Sequence, residues 1–357
     1  MIGKFCQSSL VLTVFAAIST TILPAQSALL VSSGGDNSIK QYDETTGDYI
    51  RDFVSPGSGG LLNPQGLAIG LNGNLFVSSS DTNSIKEYNG TTGEYIGDFV
   101  SSSSGLIDPN GLTFGADGSL FVTSGNIPGS ETPGTPGERR SGVLQYDTTG
   151  ELLNTISTGF IGVPLRGPQP VDVVFGGPDN TLFVSSAIER SNRGDVSEYD
   201  PTTGASIGFG VGPDFFNPGG LAIGGNFLYY TESVPNPSIG RIDLVNEIID
   251  PLFVDPNLSE FVIQFEDVAV GENGSLFVSD SISDSIKQYD GITGDFLGDF
   301  VTSGSGGLDR PTYLTTANVP IPEPSSVLGV MGFGGLFAGS ILRRRINNRK
   351  QLASLRK

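Results

Sequence analysis

Leu75-Phe76-Val77-Ser78-Ser79 is one of six related copies along the chain, and this repetition constrains the fold more than any other feature. The other copies are Leu29-Leu30-Val31-Ser32-Ser33, Leu120-Phe121-Val122-Thr123-Ser124, Leu182-Phe183-Val184-Ser185-Ser186, Leu228-Tyr229-Tyr230-Thr231-Glu232 and Leu276-Phe277-Val278-Ser279-Asp280. Their starts are 46, 45, 62, 46 and 48 residues apart. A period in the forties, built from short β-type runs and glycine-rich turns, is the pattern of propeller blades.

One copy, from Pro64 to Val100, shows what a repeat contains. Gly66 to Gly70 is a short apolar run closed by Asn72-Gly73, a hairpin dipeptide. Leu75 to Ser79 follows, then Ser84 to Asn89 with period-two alternation. Thr91-Thr92-Gly93 turns the chain into Glu94 to Val100, the glycine supplying a positive φ that β-branched neighbours adopt only at a cost. No segment before the C-terminus carries a sustained 3.6-residue apolar period, so almost no helix is expected there.

The two ends of the array are out of phase. Six apolar first strands contain Leu67, Leu112, Val173, Leu221, Val268 and Tyr313, yet the chain enters at a second strand and leaves after a first strand. The last strand, 311 to 317, is therefore expected beside Leu29 to Ser33, where it closes the ring and removes free edges. The fold class is all-β: one six-bladed propeller of four-stranded blades over residues 28–318, its first blade completed by the C-terminal strand.

Residues 1–27 read as a signal peptide. Lys4 precedes an apolar stretch from Leu10 to Leu23, and the small residues Ala25 and Ser27 suit a cut before Ala28. A buried N-terminal helix is the alternative. Cys6, the single cysteine, falls in the removed piece, which leaves no thiol for a disulfide, a thiolate nucleophile or a Cys-ligated metal. Residues 319–357 have three parts in order: Pro322-Glu323-Pro324, then 18 uncharged residues from Ser325 to Leu342, then a basic tail beginning Arg343-Arg344-Arg345. The uncharged stretch just reaches across a bilayer as a helix, and the basic cluster stays cytoplasmic. A plain tail anchor is the simpler reading.

Composition narrows the function. Residues 28–322 hold 11 basic and 37 acidic residues, a net charge of −26. Such a surface repels nucleic acid and anionic lipid, and it serves solubility or diffuse collection of divalent cations. Histidine is absent from the chain, which excludes imidazole acid–base work, Ser-His-Asp triads and imidazole metal ligands. Tryptophan, a common sugar-stacking platform, is absent too. Gly125 to Arg140, between the second and third strands of blade three, reads as a long surface loop.

The pattern from Pro64 to Ser79, followed by Asn83-Ser84-Ile85-Lys86-Glu87-Tyr88, resembles the NHL repeat over roughly residues 28 to 317. It departs at the blade edges, where the Asp after the second strand is kept only at Asp280. The array is also similar to the wider six-bladed group that includes gluconolactonase-type enzymes. The C-terminal order resembles the PEP-CTERM sorting signal of exported bacterial proteins. That resemblance implies an exosortase-type processing enzyme, with Pro322, Glu323, Pro324 and Arg343, Arg344, Arg345 as its recognition elements, and onward travel to the surface or extracellular matrix.

Within a propeller, the starts of the first strands line the central channel. The residues after each blade's proline, or its counterpart, are Gln65, Asn110, Val171, Gly219, Glu266 and Thr312, with Asp172 and Asp267 one position later. Oxygen donors converging there suit Ca²⁺. Pro109-Asn110-Gly111-Leu112 resembles the stretch that supplies an Asn metal ligand in gluconolactonase-type enzymes, so the candidate metal ligands are Asn110, Glu266 and Asp267. No separate base is visible, and no catalytic residue is assigned. Two functions follow as expectations. The first is a non-catalytic, exported scaffold that engages extracellular polysaccharide or surface proteins, reaching the matrix through an inner-membrane-tethered intermediate. The second is a Ca²⁺-dependent, lactonase-like hydrolase at the channel mouth.

Overall fold

The structure, a computed structural model, describes residues 26–125, 141–158, 169–188, 193–215, 218–232, 237–255 and 263–319. Residues 1–25, the loop 126–140 and the C-terminal motifs at 322–324 and 343–345 lie outside the described residues. Blade one begins with β1 (Gln26–Ser33), β2 (Ser38–Asp43) and β3 (Tyr49–Val54). Blade two is β4 (Pro64–Ile69), β5 (Leu75–Ser79), β6 (Ser84–Tyr88) and β7 (Tyr95–Val100). Blade three is β8 (Leu112–Phe114), β9 (Leu120–Ser124), β10 (Gly142–Tyr146) and β11 (Leu152–Ser157). Blade four is β12 (Gln169–Gly176), β13 (Thr181–Ile188), β14 (Arg193–Tyr199) and β15 (Ser206–Phe215). Blade five is β16 (Pro218–Gly224), β17 (Phe227–Glu232), β18 (Ser238–Asp243) and β19 (Ile248–Val254). Blade six is β20 (Phe265–Val270), β21 (Leu276–Asp280), β22 (Ser285–Tyr289) and β23 (Phe296–Val301). The last strand, β24 (Pro311–Val319), returns to blade one.

Each blade is a four-stranded antiparallel sheet, and blade one has the order β24-β1-β2-β3. Ala28 pairs with Ala317, Leu29 with Thr316 and Val31 with Leu314, so the phase offset between the chain's ends is resolved as expected. The pairing runs further, from Gln26 opposite Val319, and takes in two residues that a cut before Ala28 would remove. Ser27 already contributes there, its hydroxyl donating to Glu44. Successive inner strands β4, β8, β12, β16, β20 and β24 touch in order and β24 meets β4, which closes the ring. Helical structure among the described residues is confined to short 3-10 turns.

The recurring phrase owes its composition to this stacking. In a strand, successive side chains alternate between faces, and a blade between two others buries both. Leu75 and Val77 pack into the cluster shared with blade one, whereas Phe76 packs into the cluster shared with blade three. Phe121, Phe183, Tyr229 and Phe277 repeat the forward-facing role at the next four junctions. Six such clusters, one per junction, replace a single central core.

The polar end of the phrase is equally ordered. The fifth position grips the connection that enters its own blade: Ser79 Oγ donates to Leu62 O at 3.1 Å, and Ser124 Oγ to Ile107 O at 2.9 Å. The fourth position faces forward and reaches the next inner strand. Ser32 Oγ donates to Gln65 O (2.7 Å), Thr123 Oγ1 to Val171 O (3.2 Å) and Ser185 Oγ to Gly219 O (2.6 Å). Thr231 Oγ1 donates to Glu266 O (3.0 Å) and Ser279 Oγ to Thr312 O (2.5 Å). Only Ser78 lacks a partner in this series.

The Thr-Gly turns serve the same stacking. Gly93 has φ 76°, and a Cβ there would sit 1.7 Å from Phe53 O in the preceding blade. Only glycine satisfies both the turn and the contact.

Candidate functional site

The channel mouth is ringed by the six positions that follow the blade prolines or their counterparts. Five of these residues contribute their carbonyls to the hydroxyl series above, which is a backbone role that any side chain allows. The side chains are free to differ, and they do: Gln65, Asn110, Val171, Gly219, Glu266 and Thr312.

Asn110 and Glu266 stand on blades three and six, across the ring from one another. Asn110 Oδ1 is buried without a hydrogen-bond partner. Glu266 Oε1 accepts from Gln264 Nε2 at 2.6 Å and from Ser281 Oγ at 2.7 Å. Burial raises the Glu266 pKa, and these two donors oppose the rise. Asp267 belongs to the next layer, where its Oδ2 accepts from the Leu314 amide at 3.0 Å. Of the three candidate metal ligands, Glu266 and Asp267 are thus neighbours on one inner strand, and Asn110 stands on the opposite blade. Among the described residues no group of three or more carboxylates, imidazoles or thiols is arranged to hold a metal.

That next layer, one residue along each inner strand, consists of Gly66, Gly111, Asp172, Gly220, Asp267 and Tyr313. Three residues carry large side chains and three carry none. The correspondence is steric: a Cβ on Gly111 would lie 1.9 Å from Asp172 Oδ1, and one on Gly220 would lie 1.9 Å from Asp267 Oδ1. Each carboxylate therefore lies over the glycine of the preceding blade. Each also reaches forward, Asp172 Oδ2 accepting from Leu221 N at 2.8 Å as Asp267 does from Leu314. Asp172 Oδ1 further accepts from Val173 N at 2.8 Å, but Asp267 Oδ1 has no well-formed hydrogen bond.

Tyr313 fills the remaining space. Its hydroxyl donates to Val171 O at 2.9 Å, from blade one to blade four on the opposite side of the ring. Burial raises its pKa well above the usual phenol value, and the charges of Asp172, Asp267 and Glu266 add to the rise. Burial also pushes the Asp172 carboxyl up to about 7, against the pull of the Leu221 and Val173 amides. Asp267 is pushed well above the ordinary carboxylate range, by burial first and by the neighbouring Asp172 charge second. This layer adjoins a chamber of about 410 Å³, whose walls include Asp172, Asp267 and Tyr313 together with Ala68, Thr113, Val174, Ala222, Ala269 and Thr315.

Comparison with solved structures identifies the architecture. A nidogen solved in complex with laminin superposes with TM-score 0.58 at 12% identity, over 82% of this chain and 98% of that one. A protein of unknown function from Bacteroides caccae gives 0.58 at 15% identity, covering 84% and 100%. A gluconolactonase from Xanthomonas campestris gives 0.51 at 14% identity, covering 78% and 86%. The shared property is the six-bladed propeller fold. No family model matches the sequence, and no curated protein sequence matches it.

Sequence reasoning noted Asp172 and Asp267 as neighbours of the mouth, but missed the role of Tyr313 and the hydroxyl series. The hydroxyl series had a visible signal: the fourth position of the phrase is Ser or Thr in every copy. Tyr313 had none, because its partner is a backbone carbonyl.

Proposed function

We propose that this propeller is a non-catalytic, exported scaffold whose outer surfaces engage extracellular polysaccharide or other surface proteins. The observation that carries the reading is the crossing of the channel by Tyr313, with Asp172 and one oxygen of Asp267 accepting from neighbouring backbone amides. The lactonase-like reading needs Asp267 at an ion, whereas its Oδ2 here accepts from the Leu314 amide. Here the chain uses the same layer to tie blades together. The fold likeness to a nidogen that binds laminin supports an interaction role, and the −26 charge of residues 28–322 suits an exported, soluble surface.

In the same proposal the NHL-like repeats form the displayed module, and the PEP-CTERM-like tail directs an exosortase-type enzyme to a membrane-tethered intermediate. The processed protein then reaches the cell surface or matrix. Intact-mass analysis of the exported protein tests this route: the expected product begins near Ala28 and lacks Arg343 to Lys357. Retention of that basic tail would make the segment a simple anchor.

Asn110 favours a second reading, because its Oδ1 is a buried acceptor without a partner at the mouth. In a Ca²⁺-dependent, lactonase-like hydrolase, Asn110, Glu266 and Asp267 would supply the oxygens. Calorimetry with Ca²⁺ and lactone-hydrolysis assays on the intact protein, Glu266→Gln and Asn110→Ala separate the two. The scaffold reading expects equal weak Ca²⁺ binding and no Ca²⁺-dependent turnover in all three. Turnover lost in both variants would overturn it.

A further inference from the structure

Four blades carry an extra residue on the outer strand that blade three lacks. In blade one Ile39 pairs with Val54 and Lys40 with Asp52, which leaves Phe53 unpaired between them. Phe99 and Phe300 are left over in the same way in blades two and six, and Phe253 lies in the corresponding gap of blade five. Three of these rings pack on the aromatic residue of their own blade's phrase: Phe99 on Phe76, Phe253 on Tyr229 and Phe300 on Phe277, with centroids 5.0, 5.8 and 4.5 Å apart. In blade three Val143 pairs with Ile156, Leu144 with Thr155 and Gln145 with Asn154 without a gap, so among the described residues no ring is left over to cover Phe121. The turn that docks here registers the loss. A Cβ on Gly204 would lie 3.0 Å from Ile156 Cγ1, whereas one on Gly47, Gly93 or Gly294 would lie 2.0, 1.7 or 2.2 Å from the carbonyl oxygen of Phe300, Phe53 or Phe253. The junction between blades three and four keeps a pocket of about 660 Å³, with Phe121, Gln145, Asn154, Phe175, Thr202 and Thr203 in its lining.

At two other junctions the same place is taken by an arginine of the chain itself. Arg51 pairs with Gln41 on β2 as Asn154 pairs with Gln145 on β10, and its Cζ lies 4.9 Å from the centre of the Phe53 ring. Its Nε donates to Gln41 Oε1 at 2.7 Å, and its terminal nitrogens donate to Thr91 O (2.9 Å) and Thr92 O (3.4 Å) in the next blade's turn. Arg241 arrives from β18, paired with Tyr229 as Gln145 is with Phe121. Its Cζ lies 3.8 Å from the Phe253 ring centre, and it donates to Ile292 O at 3.3 Å. The seat thus recurs although the strand that supplies the arginine does not. Its acceptors are present in blade four as well. Asp200 Oδ1 accepts from the Thr202 and Thr203 amides as Asn89 Oδ1 does from those of Thr91 and Thr92, so the two turns correspond residue for residue. Among the residues lining the pocket none is Lys or Arg, and the exposed Asp117 is one of them.

We propose that the pocket between blades three and four receives the guanidinium of an arginine from a partner polypeptide. That group takes the hydrogen bonds to the Thr202 and Thr203 carbonyls that Arg51 makes to Thr91 and Thr92, lies against the partly exposed Phe175 ring, and neutralises Asp117. A planar fork suits two successive carbonyls beside a ring better than the compact, strongly hydrated ammonium of lysine. A free arginine brings its carboxylate to Asp117 and to a surface whose residues 28–322 carry a net charge of −26, whereas an arginine within a chain has no such carboxylate. The inference gives a partner chemistry to the interaction role proposed above and rests on that reading for the partner, while the pocket itself is probed with a small molecule.

Amide NMR shifts of the intact protein, titrated with N-acetyl-arginine amide, read the seat directly. Saturable shifts at Gln145, Thr202 and Thr203 are expected, with N-acetyl-lysine amide and free arginine each weaker by about fivefold or more. Asn154→Arg places a guanidinium of the chain's own in the seat and should abolish the shifts. Gly97→Arg adds the same charge at the matching place in blade two, where Gly97 pairs with Glu87, and should leave them unchanged. No saturable shift in the wild-type turn would overturn the proposal. Equal binding of the arginine and lysine amides would overturn it too, since surface charge alone then attracts them. Free arginine binding as tightly as the amide would overturn the polypeptide source. None of these results depends on the Ca²⁺ and lactone assays, which decide the scaffold reading.

Discussion

Tyr313 and Val171 join the first and fourth blades by a single 2.9 Å hydrogen bond across the channel. The Val171 carbonyl also accepts from Gly111 N at 3.1 Å and Thr123 Oγ1 at 3.2 Å. One backbone oxygen thus gathers donors from blades one and three onto blade four. The two parts of Tyr313 should therefore separate on mutation. Tyr313→Phe removes one of several donors and should cost about 0.5–1.5 kcal/mol. Tyr313→Ala also empties the centre of the layer and should cost about 3–5 kcal/mol, in line with aromatic deletions elsewhere. Denaturant titration reads both, and equal costs would show that the ring does no packing.

The hydroxyl series predicts a contrast between two chemically similar substitutions. Thr231 Oγ1 donates to Glu266 O and accepts from Gly220 N at 2.9 Å, so Thr231→Val leaves two buried backbone groups short of a partner. The expected loss is about 1–3 kcal/mol. Ser78 Oγ has no partner, and Ser78→Ala should be nearly neutral. Similar losses at both positions in an unfolding experiment would mean that the hydroxyl bonds are not what stabilises the junctions.

Glycine at the carboxylate layer is required by space. Gly111→Ala and Gly220→Ala each drive a methyl into a carboxylate and into the Cα that bears it, 2.6 and 2.5 Å away, and should cost about 1–3 kcal/mol or more, as overpacking does. Gly97→Ala on the outer strand β7 meets no atom within 4 Å and should be tolerated. Adding Asp267→Gly to Gly220→Ala should relieve only the carboxylate's part of the loss, because the Cα of residue 267, 2.5 Å from the new Cβ, remains. A pair that is strictly additive in melting experiments would place the strain elsewhere.

Asp172 gives a pH dependence whose sign is fixed by the direction of its shift. Its folded pKa, about 7, lies above the ordinary carboxylate value, so the native state holds a proton that the unfolded chain releases. Stability from this group is greatest in acid and declines as pH rises from about 4 to about 7. Asp172→Asn should be less stable than wild type at pH 5, because its amide cannot accept from both the Leu221 and Val173 N–H groups. The gap should narrow by pH 8, where wild type has a buried charge. A gap that widens with pH would reverse the assignment.

Much of the architecture was legible from local pattern. Leu75, Phe76 and Val77 alternate because each strand has two buried faces, and Gly93 marks a turn because its neighbours resist positive φ. The out-of-phase ends, Leu29 and Tyr313, led directly to the closing strand. Asn110, Glu266 and Asp267 were legible only as oxygen donors near a channel. Gln264 and Ser281 hold Glu266 and the Leu314 amide holds Asp267, and nothing in spacing distinguishes such partners from an ion.

By itself the sequence determined the number of blades, their strand content and the closure of the ring, since period and alternation are properties of neighbouring residues along the chain. Tertiary structure alone decided how the channel is used. It set Tyr313 opposite Val171 and placed Asp172 and Asp267 on either side of one glycine-bearing strand. These residues are remote in sequence, and their approach depends on closing all six blades about a common axis. Burial and charge coupling arise from that closure, because they depend on which groups exclude water from which others.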